Sequence, residues 1–103
     1  MIKTGGSNVA PREVEEVLED SLMVKTAYVL GVPVPGRGED VVAVVVPNKG
    51  CAPDEQVLAK YVRSRLSNYK VPRQWVVVGE GSLPLLPTGK VDIQSLRGLF
   101  VSR

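Results

Sequence analysis

Residues 41–46, VVAVVV, constrain this chain more than any other stretch. β-Branched side chains favour the pleated strand, and a run without polar alternation offers no face to solvent. The stretch therefore reads as a central strand rather than an edge. Residues 26–32 (TAYVLGV) and 75–78 (WVVV) have the same character and supply two further strands. The first two flank VPVPGRGED, whose Pro and Gly content predicts a looped hairpin connection.

Around these strands the apolar period changes from two to helical. Pro11 fits a first helical position, and Glu13, Glu15 and Glu16 follow where negative charge suits the helix dipole. Val14, Val17, Leu18 and Leu22 then form one apolar face, so a helix is expected from about residue 11 to residue 20 or slightly beyond. Pro53, Asp54 and Glu55 open a second helix with Leu58, Tyr61, Val62 and Leu66 on its buried side. Its basic residues Lys60, Arg63 and Arg65 lie mostly in solvent. Residues 91–100 read as a closing helix with Ile93, Leu96 and Phe100 facing inward. LPLLPTGK, carrying Pro84 and Pro87, reads as an ordered but flexible loop, and residues 3–8 as a loop or tight turn around Gly5 and Gly6. The expectation is a small α+β, two-layer domain. It has a central sheet of about three main strands packed with helices, plus a short N-terminal hairpin or loop.

The length of 103 residues suits one domain. Cys51 is the single cysteine and there is no histidine, which excludes an internal disulfide, a Cys-rich zinc site and the usual base of Ser and Cys hydrolases. No metal site is expected. Thirteen Lys and Arg against eleven Asp and Glu leave a net charge of +2 without a dense basic stripe, so nucleic acid is not an expected partner. No apolar run approaches the ~20 residues that span a bilayer, and a reducing, cytoplasmic setting is the default. The chain opens almost directly on the dense stretch MIKTGGSNVAPREVE, which suggests that Met1 is an internal residue of a longer protein.

Two segments could carry chemistry. By composition alone Lys90 reads as a solvated surface lysine. Yet Pro84 and Pro87 stiffen its approach and Gly89 frees the residue before it, so the loop could offer a long cation to another surface. An ammonium is a compact charge suited to phosphate oxygens. The segment is not a P-loop, because Gly81 lies too far from Gly89 and Val91 stands where a metal-binding hydroxyl would be needed. In KTGGSN, Gly5 and Gly6 could equally be a plain turn or a place where backbone approaches a ligand, with Asn8 nearby. Tyr69 and Trp75 read as core or rim aromatics, and Cys51, without a histidine to activate it, as incidental.

Together these segments resemble the C-terminal domain of the adenylate-forming superfamily of acyl-CoA synthetases, luciferases and nonribosomal-peptide adenylation domains. The form is most like a fatty or aryl acyl-CoA ligase. MIKTGGSNVAPREVEEVL is similar to that family's IK-x-x-G-x-x-V-x-P-x-E-[VI]-E, and AYVLGVPVPGRGEDVVAVVVP to its V-x-G-x-P-D-x-x-x-G-E hairpin. LSNYKVPRQWVVV resembles L-x-x-[YF]-K-x-P, and LPLLPTGKVDIQSL the ending LP-x-T-x-x-GK-x-x-R-x-x-L. Val34 departs from a common acidic residue and Ile93 from a frequent Arg.

The resemblance implies a two-step, AMP-forming reaction. A carboxylate attacks the α-phosphate of ATP, accompanied by Mg and bound mainly by a large N-terminal domain, and CoA then displaces AMP. Lys90 would be the catalytic lysine, with Thr88 and Gly89 in its adenylation loop. Lys3, Gly5, Gly6 and Asn8 would form the loop serving the thioester step along the pantetheine path. Rotation of the whole domain would present one loop and then the other. Lys70 and Arg73 are weaker candidates for CoA phosphates. The implied partners are the N-terminal domain of the same enzyme and CoA, or a carrier protein. Other readings are an enzyme that stops at acyl-AMP and, from another class, a stand-alone interaction module.

Overall fold

The structure, a computed structural model, describes residues 1–36 and 38–100. It is an α+β domain whose central strand is the VVAVVV segment. Strand β3 (Val24–Val34) and strand β4 (Gly38–Pro47) form a long antiparallel hairpin with Val29 opposite Ala43. The other edge of β4 is shared. There β5 (Gln74–Val77) runs parallel, pairing Val42 with Gln74 through Val45 with Val77. At the start of β4, Gly38 meets Thr4 of β1 (Ile2–Thr4), which pairs antiparallel with β2 (Ser7–Val9). The three main strands expected are present, and the N-terminal hairpin adds two more.

Every residue from 41 to 46 is at most 2% exposed. Val41, Ala43 and Val45 face α1 (Pro11–Glu19) and α2 (Glu55–Arg63), through Val14, Leu18, Leu58 and Val62. Val42 and Val44 face Leu30, Val32, Leu96 and Phe100, with Leu83 and Val91 at the margin. Leu96 belongs to α3 (Ile93–Arg97). The second face is thus covered by α3 and the segment leading into it.

Three elements differ in extent from the sequence reading. The β3–β4 hairpin runs into VPVPGRGED despite Pro33. Residues 27, 29, 31 and 33 turn their backbone polar groups away from β4, so proline at 33 removes no ladder bond. Helix α1 ends at Glu19, and Leu22, expected on its apolar face, is 91% exposed. The chain leaves the helix because Ser21 stitches a turn: its carbonyl accepts from the Val24 amide at 3.1 Å and its hydroxyl from the Met23 amide at 3.3 Å. Helix α3 is shorter than residues 91–100, and Ile93 is exposed. A helix of less than two turns can aim only one short stripe inward, here Leu96.

The outer edge of β3 is closed by side chains rather than by another strand. Glu15 Oε2 accepts from the Val29 amide at 2.9 Å and Glu19 Oε2 from the Ala27 amide at 3.1 Å. Arg97 Nε donates to the Gly31 carbonyl at 3.2 Å. Arg12 holds both glutamates, at 3.0 Å to Glu19 and 3.3 Å to Glu15, and these bonds raise its own pKa above the ordinary guanidinium value. Edge amides left open invite pairing with other chains, and inward-reaching charges block it. Glu15→Ala should therefore cost about 1–3 kcal/mol and promote association of the chain, whereas Glu15→Gln should keep most of the stability. Urea denaturation with sedimentation analysis reads both effects.

Candidate functional site

Two hairpins carry the residues singled out from the sequence. In the first, Thr4 faces Ser7, so Gly5 and Gly6 alone make the connection. Their φ values are +54° and +86°, and positive φ at both central positions is the backbone of a type I′ turn. A Cβ at either position would meet nothing within 4 Å, so the dihedral and not crowding requires glycine. Lys3 and Asn8 stand opposite each other and exposed, while their neighbours Ile2 and Val9 pair on the buried side. The structure thus gathers Lys3, Gly5, Gly6 and Asn8 on the outer face and tip of one ribbon.

The second hairpin holds Lys90. The sequence reads here as an ordered but flexible loop; the structure shows a tight, hydrogen-bonded turn. The Leu86 amide donates to the Lys90 carbonyl at 2.7 Å, and the Gly89 amide donates to the Leu86 carbonyl at 2.8 Å. Leu85 bridges Val91, and the Asp92 amide donates to the Pro84 carbonyl at 2.9 Å. Pro87 sits at the second turn position, which needs no amide, and Gly89 takes φ +89°. Pro84 contributes only its carbonyl. Both prolines therefore fit the hairpin instead of breaking it.

Side chains alternate along such a ribbon. Val91 packs against the second core, so Lys90 points away from its own domain. Thr88, Gly89 and Lys90 are all exposed, and among the described residues no acid pairs with the Lys90 ammonium. A lysine presented in this way can stabilise negative charge on another surface, but it cannot form a complete site by itself.

Asp92, to which the sequence analysis assigns no role, anchors this hairpin. Its Oδ1 accepts from the Ser95 amide at 3.2 Å, capping α3, and its Oδ2 from the Ser95 hydroxyl at 2.8 Å. The D-x-x-S spacing before an apolar period is the signal that could have revealed it. Lys70 is less available than its charge suggested, whereas Arg73 stays largely exposed. Lys70 Nζ lies 2.7 Å from Glu13, which raises its pKa, and its side chain is mostly covered. Arg73 Nε lies 3.9 Å from Asp40. The Cys51 thiol is free and half-buried.

The bonds from Ser95 hold the Asp92 carboxyl below its ordinary range. Because the folded value is depressed, this stabilisation is fully present above about pH 4 and is lost as pH falls through the folded value. Asp92→Asn should flatten that acid limb, in denaturation curves between pH 5 and 2 and in Ser95 amide exchange. A wild-type acid limb in the variant would contradict this.

Comparison with known proteins gives the chain a family. Residues 13–90 match the family described as AMP-binding enzyme C-terminal domain. A long-chain-fatty-acid–CoA ligase from Bacillus subtilis is 43% identical over 91 residues, covering 88% of this chain and 16% of the relative. The solved amide bond synthetase McbA from Marinactinospora thermotolerans superposes with a TM-score of 0.85 at 40% identity, over 96% of this chain and 20% of that one. ATP-bound MatB from Rhodopseudomonas palustris gives 0.85 at 34% identity, over 96% and 19%. The chain thus spans no more than a fifth of the length of these proteins. Among the described residues no helix is long and apolar enough to cross a membrane. The chain belongs to the family of C-terminal domains of AMP-binding, adenylate-forming enzymes.

Proposed function

We propose that this chain acts as the C-terminal domain of an ATP-dependent, AMP-forming acyl-CoA synthetase. A large N-terminal domain of the same enzyme would hold ATP and the acyl group. In the first step a carboxylate oxygen attacks the α-phosphorus of ATP, the bond to the β-phosphate oxygen breaks, and pyrophosphate leaves. In the second the CoA thiolate attacks the acyl carbonyl, and AMP leaves with the electron pair of the mixed anhydride bond. Lys90 serves the first step by placing positive charge against the developing negative charge on phosphate and carboxylate, an electrostatic contribution. The observation that carries this reading is the Lys90 hairpin, rigid at its base and aimed away from the domain that bears it.

Mg would accompany ATP and be held outside this chain. Among the described residues no three His, Cys, Asp or Glu side chains come together as a metal site. The second step belongs to the Gly5–Gly6 hairpin, whose side-chain-free tip leaves room beside a narrow pantetheine chain. The acceptor is assigned to CoA from the ligases that this chain resembles. An amine acceptor is the second reading, favoured by the likeness to an amide bond synthetase.

In the full-length enzyme, Lys90→Ala should reduce adenylate formation about 10²- to 10³-fold, read by pyrophosphate exchange. Thioester formation from preformed acyl-adenylate should stay close to wild type. Equal loss in both half-reactions would contradict the division of labour. The 103-residue chain alone should fold and release no pyrophosphate from ATP; measurable release would overturn the proposal.

A further inference from the structure

The segment Gly38-Glu39 does more than turn the chain. In the N-terminal ribbon, Thr4 and Ser7 flank the turn, and Lys3 and Asn8 form the next pair. In a two-residue hairpin the flanking pair exchanges its hydrogen bonds across the ribbon, and the next pair turns its backbone groups outward. The Lys3 amide therefore points away from β2 and toward β4. Register between β1 and β4 exists at one position, Thr4 with Gly38, and the ladder does not continue to Lys3 and Glu39, which lie next along it. Glu39 supplies the acceptor: the Lys3 amide donates to Glu39 Oε1 at 3.1 Å.

The neighbourhood is cleared for that carboxylate. A Cβ at Gly31 would stand 2.6 Å from Glu39 Oε2 and 3.0 Å from Ile2 Cγ2, so the bare backbone at 31 leaves the space in which Glu39 lies. A Cβ at Gly38 would stand 2.9 Å from the Lys3 carbonyl, and Gly38 has φ +82°, so glycine at 38 lets β1 approach β4. Two bare positions and one carboxylate thus meet at the root of the ribbon. Its tip, Gly5 and Gly6, extends beyond into solvent.

We propose that Glu39 is a positioning residue for the thioester step, fixing through the Lys3 amide the angle at which the Gly5–Gly6 hairpin leaves the domain. The proposal rests on the role assigned above to that hairpin. Glu39 touches no substrate; its effect runs through one backbone bond. The bond adds a side-chain tie to the Thr4–Gly38 pairing and the buried Ile2, so the ribbon is held at its root from both β4 and the core. Gly31 and Gly38 complete the device, the first by seating the carboxylate and the second by admitting the strand.

The test measures the two half-reactions separately in the full-length enzyme. Glu39→Ala should slow thioester formation from preformed acyl-adenylate about tenfold or more, the scale of a small misplacement, and leave pyrophosphate exchange within about twofold of wild type. Glu39→Gln, which keeps an acceptor, should recover most of the lost rate. Gly31→Ala, which displaces the carboxylate without changing its charge, should reproduce the selective loss. If Glu39→Ala lowers both half-reactions alike, or neither, the positioning role is wrong. A hairpin-tip variant, Gly6→Ala, separates this from the underlying assignment. If it slows the thioester step while Glu39→Ala does not, only the positioning role falls. If both variants spare the step, the assignment of the hairpin falls with it.

Discussion

Everything in this domain depends on one strand that has no solvent face. Residues 41–46 lie between two cores, and each core recruits a different set of elements. On one side α1 and α2 close over Val41, Ala43 and Val45; on the other α3 and the Lys90 hairpin close over Val42 and Val44. At about 1.5–3 kcal/mol per buried aliphatic side chain, this strand is the main source of cohesion between the layers. It also explains how a small domain can hold the Lys90 hairpin firmly. Val91, the residue after Lys90, is itself part of the packing.

A second regularity is the use of charged side chains as substitutes for missing backbone partners. Glu15 and Glu19 take the outward amides of β3, Arg97 takes its outward carbonyl, and Glu39 takes the amide of Lys3. Asp54 and Asp92 do the same for the first amides of α2 and α3. Buried or half-buried backbone groups must find partners, and in a sheet of short, ragged strands the ladder alone cannot supply them. Tyr28, near this edge, shows the accumulated negative charge: burial raises its phenol pKa, and Glu19, Glu15 and Glu80 push it further.

How much of this was legible in the sequence follows from the range of each signal. The central strand and both longer helices were readable because their apolar patterns are local and strong. The four ordered motifs, read as a resemblance, pointed to Lys90, which composition alone would have left as a surface charge. The tertiary uses of polar residues were not readable. Glu15 and Glu19 look like ordinary helix charges until β3 is placed beside them, and Glu39 looks like a loop acid until β1 crosses Gly38. Leu22 was misplaced because a helical period continues past the point where Ser21 turns the chain. The paired hairpin around Lys90 is not legible, although an ordered loop is, because two prolines argue against a regular element until it is known which amides the turn leaves unused.

In the proposed reaction one domain carries two tools and presents them in turn. Lys90 sits on one hairpin and the Gly5–Gly6 tip on another, both built into the same sheet-centred body, so exchanging them requires the body to move. The most direct measurement is amine-reactive labelling of Lys90 in the full-length enzyme, read by peptide mass spectrometry. With ATP and the carboxylate bound, labelling of Lys90 should fall sharply; with acyl-adenylate and CoA it should return to the level of the free enzyme. Labelling that is unchanged across these states, or protection that persists after CoA binds, would contradict alternating presentation.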